Sequence, residues 1–187
     1  MFRRLLALTL LATALTSLAA CGDKEATVSE GESEAIFVTL GELQYQVQMS
    51  RQLNPGDAGD SDLLTGIDAA ESSLGAEDLW FGVWVRAFNS SDSVASTADE
   101  FKIVDTRGEE FEPMIVDESN KLVFRKAPVS GDGGQYPNPN SAAANLPTTG
   151  AILIFKLPTL VLGYRPLELE IESSELPDKK ASVTLDI

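Results

Sequence analysis

Side chains able to do chemistry are scarce in this chain. Its 187 residues include one cysteine and no histidine. That rules out Ser–His and Cys–His nucleophilic sites and histidine-bearing metal centres, and a copper or zinc carrier is not expected on the same ground. A Ser–Lys pair, or two carboxylates working as in glycoside hydrolysis, would need groups brought together that here sit on alternating runs or in loops. The expectation is a protein that is not an enzyme and carries no cofactor. Asp57, Asp60 and Asp62, set among glycines, could offer oxygens to Ca²⁺, a hard cation. Their spacing is not that of an EF-hand: no glycine follows Asp62 at the required place, and Glu71 falls outside the loop. A solvated acidic loop is the competing and preferred account. One further group has binding character: Trp80, Trp84 and Phe88 recur with Arg86 on one row of a single stretch.

That stretch, Asp78 to Asn89, reads DLWFGVWVRAFN. Leu79, Phe81, Val83, Val85 and Ala87 form one row of a period-two strand, and Trp80, Gly82, Trp84, Arg86 and Phe88 form the other. Both rows are largely apolar, so a central strand covered on both sides is predicted. The branched, uninterrupted row suits the core. The aromatic row then either faces outward as a contact surface for a protein or a sugar, or lies beneath the segment Asn54–Asp78 folded back over it. The covered arrangement is the preferred expectation.

The rest of the chain fits a secreted, tethered domain. Arg3 and Arg4 precede the uncharged run Leu5 to Leu18, which is too short to span a bilayer and suited to a signal peptide. It ends in Leu18-Ala19-Ala20-Cys21-Gly22, which resembles the lipobox of bacterial lipoproteins. The resemblance implies cleavage after residue 20, a diacylglyceryl group on Cys21, and a chain anchored on the extracytoplasmic side of the cell membrane. Several acyl chains on one residue hold a protein to a bilayer far better than one. The net charge is −15, and losing the leader, whose only charges are Arg3 and Arg4, makes it −17. No basic patch is visible, so nucleic acid is excluded as a partner, and such a surface disfavours adsorption to anionic lipid.

Residues 21–35 are polar and acidic and are expected to form a flexible tether. The folded domain is expected over 36–187, with an acidic insertion at 54–78. Leu43, Tyr45, Val47 and Met49 alternate with polar residues as a half-buried strand. Asn54-Pro55-Gly56 is turn chemistry, and Ile67 to Leu74 is expected to make one or two helical turns. Phe101 to Asp105, Phe111 to Val116 and Lys121 to Arg125 are further strand candidates. Ser130 to Gly150 is a Gly/Pro-rich loop in which Pro137 and Pro139 exclude a central strand. Ala151 to Leu157, the run through Leu167, Leu169 and Ile171, and the run from Ala181 to Ile187 complete the strands. The fold class predicted is all-β, a sandwich of about seven to eight antiparallel strands.

Trp80-Phe81-Gly82-Val83-Trp84-Val85 running into Asn89, then Phe101 to Asp105 with Gly108 and Phe111, resembles an immunoglobulin-like domain of secreted proteins and lipoproteins. Gly150, Ile154-Phe155-Lys156-Leu157-Pro158 and Pro166-Leu167-Glu168-Leu169 continue the resemblance. That domain type is found chiefly in Gram-positive bacteria and actinobacteria, and the mycobacterial immunoprotective extracellular protein is related to it. The resemblance covers about residues 43–187 and implies an immunoglobulin-like β-sandwich. It implies no catalytic residues. The function expected is that of a non-catalytic envelope lipoprotein making protein–protein contacts at the membrane surface. The alternative is a receptor module binding a small solute or Ca²⁺.

Overall fold

A computed structural model describes residues 27–187; the leader and Cys21 lie outside the described residues. The strands are β1 (Glu30–Gly31), β2 (Phe37–Leu40), β3 (Leu43–Leu53), β4 (Asp78–Asn89), β5 (Ala95–Ser96) and β6 (Glu100–Val104). They continue with β7 (Glu110–Phe111), β8 (Pro128–Val129), β9 (Gly134–Tyr136), β10 (Ala151–Pro158), β11 (Leu167–Glu172) and β12 (Lys180–Leu185). One short helix, α1 (Ala58–Leu63), follows β3.

Two sheets pack face to face. Sheet I runs β1-β12-β11-β6-β7 and sheet II runs β10-β4-β3-β2, with β9 lying along β4 beyond the end of β10; β5 and β8 form a separate ribbon. Every pairing among the strands of four residues or more is antiparallel. The molecule is an all-β sandwich, as the alternating pattern predicts.

The double apolar row of β4 sets this architecture. Leu79, Phe81, Val83, Val85 and Ala87 enter the main core between the sheets, opposite Ile103 of β6, Leu169 of β11 and Val183 of β12. The other row builds a second core on the outer face of sheet II, where Trp80 and Trp84 pack with Ile152, Ile154 and Leu53. The lid of this second core consists of Leu63 from α1 together with Val116 and Val123. Gly82 sits between the two tryptophans, and a Cβ there would lie 2.8 Å from Ile152 Cδ1 and 3.1 Å from Trp84 Cζ3. Glycine at this position leaves room for the indole.

Five local expectations are corrected. The helix lies one segment earlier than Ile67–Leu74, because Asp57 caps it by accepting from the Gly59 and Asp60 N–H groups. Ile67 instead bridges Val116, and the following turn closes after one round on the Asp68 carbonyl. In β3 the register shifts between Val47 and Met49. This bulge passes Met49 to the second core rather than to the face of Leu43, Tyr45 and Val47. Lys121–Arg125 makes a single parallel bridge, Val123 with Ile152, and of the expected Phe111–Val116 return only Phe111, together with Glu110 before it, pairs with β6. Ordered pairing also begins before residue 36, since Glu30 and Gly31 lie parallel to Ser182 and Val183.

Candidate functional site

The outer face of sheet II is divided along β4. Its first half is closed. Trp80 and Trp84 are each 2% exposed, so no partner reaches them, and these two residues are withdrawn as binding candidates. The lid is fastened by charge as well as by packing. Arg51 stands 5.1 Å over the Trp84 ring and pairs with Asp60 of α1 at 2.5 Å. Asp60 also accepts the Asn54 N–H at 2.8 Å. The hydrogen bond from Arg51 holds the Asp60 carboxyl below its usual range.

These contacts also dispose of the Ca²⁺ candidates. Asp57 is spent on capping α1, Asp60 on Arg51 and Asn54, and Asp62 is an exposed residue of the helix. Their oxygens do not converge, and among the described residues no three acidic or sulfur side chains are grouped to hold a metal.

The second half of the face is open. Beyond Trp84 the outward residues of β4 are Arg86 and Phe88, both half-buried. Cross-strand register places two rows there. One runs Thr39–Gln44–Phe88–Gln135 across β2, β3, β4 and β9. The other runs Phe37–Gln46–Arg86 across β2, β3 and β4. Phe37 is 44% exposed and meets Phe88 edge to face, with ring centroids 5.5 Å apart. The Arg86 guanidinium lies 4.7 Å over the Phe88 ring and donates to Gln135 Oε1 at 3.2 Å. Gln46 Nε2 donates to the Ala35 carbonyl at 2.7 Å, and Gln48 Nε2 donates to Gln46 Oε1 at 2.5 Å. None of the seven residues in these rows is acidic, in a chain with 29 Asp and Glu.

A hollow adjoins each side of this platform. Gln135 also lines a cleft of about 690 Å³ walled by the Gly/Pro loop, with Tyr136, Arg125 and Ser141. There Tyr136 is fixed by accepting the Arg125 N–H at 2.8 Å and by stacking edge to face on Phe124 at 4.8 Å. On the other side Gln44 and Thr39 line a shallow hollow of about 560 Å³ with Thr27, Glu42, Ser90 and Ser91. Together these surfaces present amides, hydroxyls, three aromatic rings and the stacked Arg86 guanidinium, with Arg125 and Glu118 in one hollow and Glu42 in the other. Such groups recognise a ligand by hydrogen bonding and stacking.

Of the candidates named from sequence, Arg86 and Phe88 remain at the surface, and the structure adds Phe37, Gln44, Gln46 and Gln135. The glutamines of β3 were visible only as the polar side of an alternating strand. Phe37 and Gln135 reach the platform through pairing of segments distant in sequence.

No family model and no curated protein matches the chain. Among solved structures, the yjhA protein of Bacillus subtilis is similar with a TM-score of 0.48 and 9% identity, over 83% of this chain and 99% of that one. The ycdA protein of Bacillus subtilis, a candidate lipoprotein, gives 0.46 and 12% identity over 82% of this chain, which spans 39% of the ycdA chain. An uncharacterized β-sandwich protein of Clostridium difficile gives 0.40 and 6% identity, over 83% of this chain and 95% of that one. None of the three lends a residue role to this chain.

Proposed function

We propose that this protein is a non-catalytic lipoprotein of the cell envelope: an immunoglobulin-like module tethered through a lipid on Cys21, acting by contact through the open half of sheet II. The lipobox-like run Leu18 to Cys21 supports the anchor. Among the described residues no helix is long and apolar enough to cross a membrane. The observation that carries the contact reading is the platform of Arg86, Phe88, Phe37 and glutamines, free of carboxylates on a chain of net charge −15. Aromatic residues and arginine, with charge depleted around them, are the composition of contact surfaces.

Two experiments test this in the producing bacterium. Cys21→Ala is expected to move the protein out of the membrane fraction; retention in the pellet would end the anchoring claim. A photo-crosslinking residue at Gln46 is expected to give an adduct with an envelope component. The same residue at Glu168, on the outer face of sheet I, is expected to give none. Equal yields at both positions would contradict the assignment of the face.

A second reading, a receptor for a small solute, is favoured by the cleft of about 690 Å³. Saturable solute binding that survives Phe88→Ala and is lost on narrowing the cleft at the half-buried Ser141 would establish it in place of the first.

A further inference from the structure

We infer that the occupant of the open platform is a glycan carrying carboxylate groups. This rests on the contact reading above and gives its partner a chemistry. Three observations carry it.

The first is the kind of group presented. Outward positions of the two rows hold three glutamines and a threonine, and the flanking hollows add Thr27, Ser90 and Ser91 beside Glu42 on one side, and Ser130 and Ser141 beside Arg125, Lys121 and Glu118 on the other. A primary amide offers two donors and an acceptor, and a hydroxyl offers both functions. This suits a ligand whose surface is also hydroxyl groups. A protein partner would be expected to meet an apolar centre, yet Phe37 is the one residue of the rows among the exposed large hydrophobics.

The second is shape. Neighbouring strands lie about 4.8 Å apart and alternate residues along a strand about 6.7 Å apart. The rows therefore make a grid about 14 Å across, twisted as sheets are and continued by a hollow at each end. An elongated track fits a polymer lying across the strands, with the rings of Phe88 and Phe37 against the C–H faces of sugar rings.

The third is charge. Arg86 is the single cation on the grid, held over Phe88 and oriented by Gln135, with guanidinium N–H groups left to donate. A planar fork of donors matches a carboxylate. On a chain of net charge −15 an acidic polymer is repelled by most of the surface; the seven residues of the rows carry no carboxylate, Glu42 and Glu118 lying in the flanking hollows, so Arg86 is where a carboxylate of the ligand is met.

The test uses the full chain, purified in detergent, and calorimetric titration with three probes: a short oligogalacturonide, a neutral cello-oligosaccharide of equal length, and oligoglutamate. The oligogalacturonide is expected to bind, the neutral oligomer to bind more weakly, and oligoglutamate not to bind. Arg86→Gln should weaken the oligogalacturonide by about tenfold, as loss of a charge-assisted hydrogen bond does, and leave the neutral oligomer unchanged. Phe88→Ala should weaken both sugars, and Glu168→Gln neither. Near-ultraviolet circular dichroism identifies any variant that has not folded; Gln46→Ala then serves as a further probe of the same grid. Absence of oligogalacturonide binding by the folded parent overturns the inference. So does binding unaffected by Arg86→Gln and Phe88→Ala, or equal binding of oligoglutamate. If glycan binding fails while the crosslinker at Gln46 captures an envelope protein, the glycan is wrong and the contact reading stands; if both fail, both fall.

Discussion

Trp84 and Arg86 are two residues apart on the same face of the same strand, yet one is sealed and the other is open. The residues around them account for this. Over Trp80 and Trp84 the chain after β3 folds back, places Leu63 on the indoles, and is fastened by Arg51 and Asp60. Over Arg86 and Phe88 no segment returns among the described residues: β2, β3 and β9 lie beside them in the sheet, presenting amides and one exposed ring. The outer face of sheet I is open in a different way. Lys102 there lies 3.2–3.8 Å from Glu110, Glu172 and Glu170, and Lys180 lies 2.7 Å from Glu170. Charges that answer one another in water contribute little stability. The Arg86–Phe88 half differs in that, among the described residues, its one cation is paired with no carboxylate, which is what makes it the candidate site.

Substitutions on the two halves should separate stability from binding. The largest effect belongs to the closed half. Trp84→Ala removes a fully buried indole and should cost about 3–5 kcal/mol, read from denaturant unfolding; a loss below about 1 kcal/mol would mean the lid is not packed on it. Gly82→Ala tests the same half by overfilling it, since the added Cβ would press Ile152, Trp84 and Leu53. A destabilisation of about 1–3 kcal/mol is expected, and a neutral result would contradict the tight fit. On the open half, Phe88→Ala loses one edge-to-face pair and part of a half-buried ring and should cost less, about 1–2 kcal/mol, while weakening contact at the platform.

The smallest effect concerns the fastening of the lid. The folded-state pKa of Asp60 is depressed below about 3.8 by the hydrogen bond from Arg51. Its contribution is therefore complete above the unfolded value and is lost as pH falls through the folded one. The unfolding midpoint should fall below about pH 4, and Asp60→Asn should flatten that fall; an unchanged slope would show that the pair fastens nothing.

Legibility in the sequence follows the same division. Period-two apolar rows made β4 readable as a strand buried on both sides, and the alternation around Leu167 and Val183 gave the opposing sheet. The branched row facing the core was also readable, because Phe81, Val83 and Val85 are uninterrupted. The lid was not readable in detail. Leu63, Val116 and Val123 are isolated apolar residues in turn-rich segments, with no period to place them. The bulge at Gln48 carries no local signature, so Met49 was read onto the wrong face. Arg86 and Phe88 were legible as candidates because they share a segment with the tryptophans. Phe37, Gln44, Gln46 and Gln135 were not, because the platform exists only once four strands are in register.

Acrylamide quenching of the parent and of Phe88→Trp tests the division of this face most directly. The account predicts that both native tryptophans of the parent are nearly inaccessible to the quencher, and that the variant gains one red-shifted, freely quenched component. Free quenching of the parent, or a variant as protected as the parent, would contradict it.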